Sequence, residues 1–178
     1  LYTEAKYAQE MALIDSKDVV KEVMNDFGKR FKRYYKPVET YNTDNADFVY
    51  IALGSIGENI KTAIDGMKGQ GKDAGLVSLR LFRPFPKEEL LDILKDKKRI
   101  AVIERAMPGG AANGPLFHEI ATLLYTEGID VKLENYILGL GGRDVLPGTF
   151  IDIYDGVAHI KDTVPVKDKN YDVIGVRG

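Results

Sequence analysis

The chain has 178 residues, 44% hydrophobic and 29% charged, with a formal net charge of −2. That is enough for one domain with a full core plus an appendage, and the balance offers no broad basic field for nucleic acid or an anionic membrane. Cysteine is absent, which excludes disulfides, thiolate catalysis, zinc-thiolate sites and any iron–sulfur cluster held by this chain alone.

No apolar run nears the roughly 20 residues that a membrane helix needs. The N-terminus is charged and mixed, without the pattern of a signal peptide, so a cytoplasmic location is expected. The first residue is Leu1 rather than Met, as expected of a piece of a longer chain.

Residues 1–46 read as a helical arm and linker. Val20, Val23, Met24, Phe27, Phe31 and Tyr34 form one helical stripe, which predicts a core-packing helix; the alternative is a connector to another domain. Tyr7, Met11 and Ile14 make a shorter stripe, and Asp15-Ser16 could cap a second helix between the two. Pro37 ends the pattern, and residues 37–46 are polar and turn-rich, as in a linker.

Residues 47–178 read as an α/β domain. The run Phe48–Leu53 predicts a strand buried on both faces, and Ile56–Gly69 a helix with Ile60, Ala63, Ile64 and Met67 inward. Residues 76–82 alternate, which predicts a strand with one less buried face. Arg83-Pro84-Phe85-Pro86 is a stiff link into a helix with Glu88 and Glu89 in its first turn and Leu90, Leu91 and Leu94 inward. Ile100–Ile103 is again apolar throughout. Pro115 opens a helix with Leu116, Ile120, Leu123 and Leu124 inward, closed by Gly128. Residues 130–138 predict a fourth strand. Pro147 starts a last helix with Phe150, Ile153, Tyr154 and Val157 inward. Val173–Val176 is expected as an edge strand or a docking tail. Strand and helix alternate, so the fold class is an α/β three-layer sandwich with a mostly parallel sheet.

In such a sheet the loops after the strands gather at one edge, where ligands bind. The candidates are Gly54-Ser55, Pro108-Gly109-Gly110 and Gly141-Gly142-Arg143-Asp144, with Arg105 and Arg143 as fixed positive charges near helix N-termini that favour anions. The dinucleotide fingerprint fails twice: glycine would be needed at Ile56 and Asn59, and at Asp144. There is no phosphate-binding G-x-x-x-x-G-K-[ST] loop. Taken alone, each loop reads as a turn that needs glycine. His118 and His159 have no serine, cysteine or metal-ligand partner at a telling spacing, and Ser55 lacks a G-x-S-x-G elbow. Asp65, Asp92, Glu119 and Asp152 read as solvated helix faces.

Four stretches, ADFVYIALGS, LVSLRLFRPFPKEEL, RIAVIERAMPGGAANGPLFHEI and NYILGLGGRDV, occur in this order. Together they resemble the second domain of the α subunit of pyruvate:ferredoxin oxidoreductase (pyruvate synthase). That domain is similar to the C-terminal domain of transketolase. The arm KYAQEMALIDSKDVVKEVMNDFGKRF resembles the segment that joins the first domain to the second, so the likeness covers roughly residues 1–160.

The resemblance implies an enzyme that oxidises pyruvate with coenzyme A, or runs in reverse. It would use thiamine diphosphate with Mg2+ and pass electrons through iron–sulfur clusters to ferredoxin. Partners would be the other domains and subunits of that complex. The pyrimidine-binding domain, the diphosphate-binding motif and the cluster cysteines are not in this sequence. No catalytic residue therefore carries over, and the isolated chain is expected to be inactive and to bind none of these cofactors alone. Its implied role is structural, with Arg105–Gly110 and Gly139–Asp144 as the loops that match the family. Branched-chain 2-oxoacid and 2-oxoglutarate oxidoreductases share much of the plan, and the FRPFP stretch favours pyruvate. Readings from other classes are a free-standing module that binds a small anion at the glycine loops and a purely structural interaction domain.

Overall fold

The computed structural model describes residues 1–157, 160 and 162–176. In chain order the elements are α1 (Tyr2–Phe31), β1 (Val38–Tyr41), β2 (Phe48–Leu53), α2 (Ile56–Lys68), β3 (Ala74–Leu79), α3 (Lys87–Leu94) and β4 (Arg99–Glu104). They continue with α4 (Pro115–Thr126), β5 (Lys132–Ile137), a 3-10 turn (Leu140–Gly142), α5 (Pro147–Asp155), β6 (Thr163–Pro165) and β7 (Asp172–Ile174). One seven-stranded sheet has the order β1-β3-β2-β4-β5-β7-β6. Its five inner strands are parallel, and the two edge strands run antiparallel to their neighbours.

The apolar runs dictate this arrangement. A strand whose successive residues are all apolar can be buried only if both faces of its sheet are covered. Phe48, Tyr50, Ala52, Ala101 and Ile103 face a core built with Ile60, Ile64 and Met67 of α2 and Phe150 and Ile153 of α5. Val49, Ile51, Ile100 and Val102 face the opposite core, built with Leu90 and Leu94 of α3 and Leu116, Ile120 and Leu124 of α4. Val102 and Ile103 are 0% and 1% exposed, as the run predicts. Between the layers, the Tyr50 hydroxyl donates to the Phe150 carbonyl at 2.5 Å, and burial pushes this phenol far above its ordinary pKa.

Several sequence expectations are corrected. Residues 37–46 are not merely a linker, because Val38–Tyr41 pairs with Leu79–Leu76 as an edge strand. Its Glu39 takes a two-pronged ion pair from Arg80 at 2.6 and 3.0 Å. β3 is covered on both faces. α2 packs over it at Gly57, where an added Cβ would make only ordinary contacts with Ser78 Oγ and Leu76 Cδ2, at 3.4 and 3.5 Å. Val157 lies beyond the end of α5 and is exposed. The tail alternation is not an edge: β7 lies between β5 and β6.

The arm is one helix of 30 residues without a break at Asp15-Ser16. The Ser16 hydroxyl donates back to the Leu13 carbonyl at 2.6 Å, so it serves the helix interior and caps nothing. Nor does this helix pack into the core. Residues 1–15 are all exposed, and Val23, Phe31 and Tyr34 of the predicted stripe are exposed as well. Only Gly28 is buried, under the Tyr34 ring. Ion pairs tie the helix to α3: Lys17 to Glu88, Lys17 to Glu89 at 3.1 Å and Lys21 to Glu89 at 2.7 Å.

Candidate functional site

Parallel pairing of β2, β4 and β5 brings the loops after them to the same edge of the sheet. The helices after β2 and β5 pack on one face, and the helix after β4 packs on the other. Where neighbouring strands send their chains to opposite faces, a crevice opens at the carboxyl ends. Ser55, Asn59, Arg105, Arg143 and Asp144 line a cleft of about 200 Å³ there. A larger groove of about 660 Å³ adjoins it, sharing Arg143 and Asp144 and adding Leu146, Thr149, Asp162 and Ile174.

The sequence candidates divide at this edge. Ser55 precedes α2 and reaches the cleft, while Gly54 with φ +72 makes the turn behind it. Gly141 and Gly142 line the groove in the left-handed region, at φ 62 and 77, which glycine enters without a Cβ penalty. Gly109 and Gly110 line neither space. Their loop is drawn instead toward the β6–β7 turn, where Lys169 Nζ donates to the Gly110 carbonyl at 2.5 Å and Asn170 N–H to the Ala112 carbonyl at 3.2 Å. The three loops therefore share an edge, but only two of them, with Arg105, share a cleft.

Two side chains set the character of that cleft. Arg105 reaches the Gly139 carbonyl at 3.2 Å through Nη2 and 3.4 Å through Nε. Arg143 lays its stem against Gly175, where an added Cβ would sit 2.6 Å from its Cδ. Both guanidinium-bearing residues are exposed.

Sequence reasoning missed the polar group that fixes the loop between β4 and α4. Glu104 and Asn135 are 5% and 3% exposed. Glu104 Oε1 accepts from the Leu116 N–H at 2.7 Å, and Oε2 accepts from Asn135 Nδ2 at 2.8 Å. Asn135 Oδ1 in turn accepts from the Gly114 N–H at 2.9 Å. The first-turn amides of α4 would otherwise lack partners, so the buried carboxyl group anchors that helix to the sheet. Gly114 is required at its position, because any side chain there would run into the Glu104 carboxyl group. The available signal was an acid directly ending a buried apolar strand, ahead of Gly-Pro.

The remaining candidates carry no site. His118 is exposed on α4, and His159 lies outside the described residues. Glu119 pairs with Arg83, and Asp65 accepts from the Tyr41 hydroxyl at 2.6 Å. Among the described residues no group of His, Asp or Glu could hold a metal ion, and no helix is long and apolar enough to cross a membrane. Of the cofactors implied by the resemblance, iron–sulfur clusters do not fit this chain: they need cysteine thiolates, which it lacks.

Fold and site define a doubly covered parallel α/β domain with a basic cleft at the carboxyl edge of its sheet. The profile of the pyruvate:ferredoxin oxidoreductase core domain II matches residues 46–150. The chain belongs to that family. Pyruvate synthase subunit PorA of Methanocaldococcus jannaschii is 43% identical over 146 residues, 81% of this chain and 36% of that protein. Ketoisovalerate oxidoreductase subunit VorA of Pyrococcus horikoshii is 42% identical over 144 residues, 80% of this chain and 36% of that protein. The chain thus spans just over a third of the length of these relatives. The solved 2-oxoglutarate:ferredoxin oxidoreductase from Magnetococcus marinus superposes with a TM-score of 0.51 at 18% identity, covering 72% of this chain and 21% of that one. At that identity the likeness speaks to the fold.

Proposed function

We propose that the chain is the second domain of the α subunit of a 2-oxoacid:ferredoxin oxidoreductase, with pyruvate as the 2-oxoacid. The 43% identity to a pyruvate synthase subunit over 81% of the chain carries this reading. The near-equal identity to a ketoisovalerate oxidoreductase subunit supports a second reading, a branched-chain 2-oxoacid. The FRPFP stretch favours pyruvate.

In this reading the assembly works in the cytoplasm and converts pyruvate, coenzyme A and oxidised ferredoxin to acetyl-CoA, carbon dioxide and reduced ferredoxin, reversibly. Thiamine diphosphate with Mg2+ supplies the electron sink for decarboxylation, and iron–sulfur clusters carry the electrons. Other domains and subunits hold these groups. The present domain, the sheet from β1 onward with its covering helices, braces the assembly and presents its cleft loops, including Gly54, Ser55, Arg105 and Gly141–Asp144, to the approach of the active site. The arm, the helix Tyr2–Phe31, is the connector. Residues 1–15 are all exposed, with Tyr7, Met11 and Ile14 on one stripe, as suits a helix that packs against a neighbouring domain.

Size-exclusion chromatography of the chain mixed with the remaining subunits of such an oxidoreductase tests this. Co-elution in one peak is expected, and loss of co-elution on Tyr7→Asp/Met11→Asp substitution would place the contact on the arm. Separate elution of the wild-type chain contradicts the reading.

A further inference from the structure

Arg80, Arg83 and Arg99 each hold a carboxylate, from Glu39, Glu119 and Glu134 respectively. Arg105 and Arg143 hold none among the described residues, although both line one cleft. Neither does much for the fold. Arg105 makes only long contacts to one carbonyl, and Arg143 rests its stem on a glycine. A guanidinium stays charged at any physiological pH, and its fork matches two oxygens of one anion. Two guanidiniums without a carboxylate partner, brought to one cleft from separate loops, offer one anion two forks.

The cleft also offers neutral donors. The Ser55 hydroxyl lines it, as does the Asn59 amide, which spends one bond on the Val145 carbonyl at 3.3 Å. Two fixed cations complement a dianion better than a monocarboxylate, and the neutral donors suit a third oxygen. The volume of about 200 Å³ is below the roughly 300–1,000 Å³ of a pocket for a whole drug-sized ligand. It suits the head of a ligand whose body lies in the adjoining groove, where Leu146 and Ile174 provide apolar surface. Asp144, on the shared rim, opposes the anion and sets the affinity below what the arginines alone would give.

We propose that this cleft binds the phosphoryl group of a phosphate ester, held by Arg105 and Arg143, with the organic part of the ester along the groove. The test is a titration of the 178-residue chain with inorganic phosphate, followed by amide chemical shifts at constant ionic strength, with chloride and succinate in parallel. Phosphate should saturate, shifting the amides of 55–59, 105 and 139–145, while chloride and succinate should not. Charge-assisted hydrogen bonds have the strength to make Arg105→Ala and Arg143→Ala each weaken binding about tenfold or more. Arg143→Lys should recover only part of that loss, and Asp144→Asn should tighten binding. Circular dichroism confirms that each variant is folded. No saturation by phosphate, shifts confined to other regions, or affinity unchanged in folded arginine variants would overturn the proposal. Succinate binding as tight as phosphate would overturn the phosphoryl assignment. Co-elution with oxidoreductase subunits is read separately, so the proposed function and this site can fail independently.

Discussion

Ile103 and Glu104 are adjacent in β4, and each is fixed by what its neighbours allow. Ile103 sits in the core between the sheet and α2, with 1% of its surface exposed. Truncation to alanine should cost about 2–5 kcal/mol, the range for a large-to-small change that leaves a cavity. A loss below about 1 kcal/mol in denaturant unfolding would contradict the burial. Glu104 is held by partners 12 and 31 residues away in sequence, Leu116 and Asn135. Gly114→Ala forces a methyl group into that carboxyl group, and overpacking of this kind costs about 1–3 kcal/mol. A thermal melt that is unchanged in Gly114→Ala would show that the Glu104 anchor is dispensable. The burial of Ile103 was legible in the apolar run. That of Glu104 was not, because only the return of α4 and β5 to the end of β4 removes its carboxyl group from water.

At the scale of elements, the arm behaves as a helix tethered by charge. The hydrogen bond from Lys17 holds Glu88 below the ordinary glutamate range. Burial pushes Glu89 up, but the ion pairs with Lys21 and Lys17 outweigh it and leave its pKa lowered. Burial likewise opposes the charge on Lys17, yet the two carboxylates raise its pKa. Acids lowered on folding stabilise above their unfolded value of 4.5 and lose that contribution as pH falls through their folded values. A raised lysine stabilises below 10.5 and loses its contribution as pH climbs through its folded value. The tether should therefore hold between these limits and loosen in acid. Pairs at a surface such as this one are worth only about 0.2–1 kcal/mol each, so the arm should loosen before the domain unfolds. Protection of the amides in α1, corrected for the intrinsic pH dependence of exchange, should fall below pH 4.5 and should already be lowered at neutral pH in Glu88→Gln/Glu89→Gln. Protection that ignores both pH and the double substitution would mean that the charges hold nothing. The sequence showed a helix here but misjudged its surroundings. A stripe of valine, methionine and phenylalanine specifies a face to be covered, not what covers it. The short strands β1 and β6 were hidden for a related reason: edge strands need only a few residues and tolerate polar ones.

For the whole molecule, the alternation of buried runs and helical stripes was sufficient to imply a parallel sheet covered on both faces. It also implied that the loops after β2, β4 and β5 share one edge. Which loops meet was not legible. The Pro108–Gly110 loop turns toward the β6–β7 turn through Lys169 and Asn170, residues more than fifty positions away. The cleft is left to Ser55, Arg105, Arg143 and Asp144. That Arg105 and Arg143 converge there depends on strand order and on the bare Gly175 under the Arg143 stem, neither of which a linear motif records.

The oxidoreductase reading is tested most directly by pyruvate- and coenzyme A-dependent viologen reduction. The assay compares the isolated chain, the other domains and subunits without it, and the complete assembly. The chain alone should reduce no dye, because it has no cysteine to hold a cluster. The complete assembly should turn over, and removal of this domain should abolish or sharply reduce that turnover. Pyruvate-dependent reduction by the isolated chain, or full turnover by an assembly that lacks it, would contradict the proposed role.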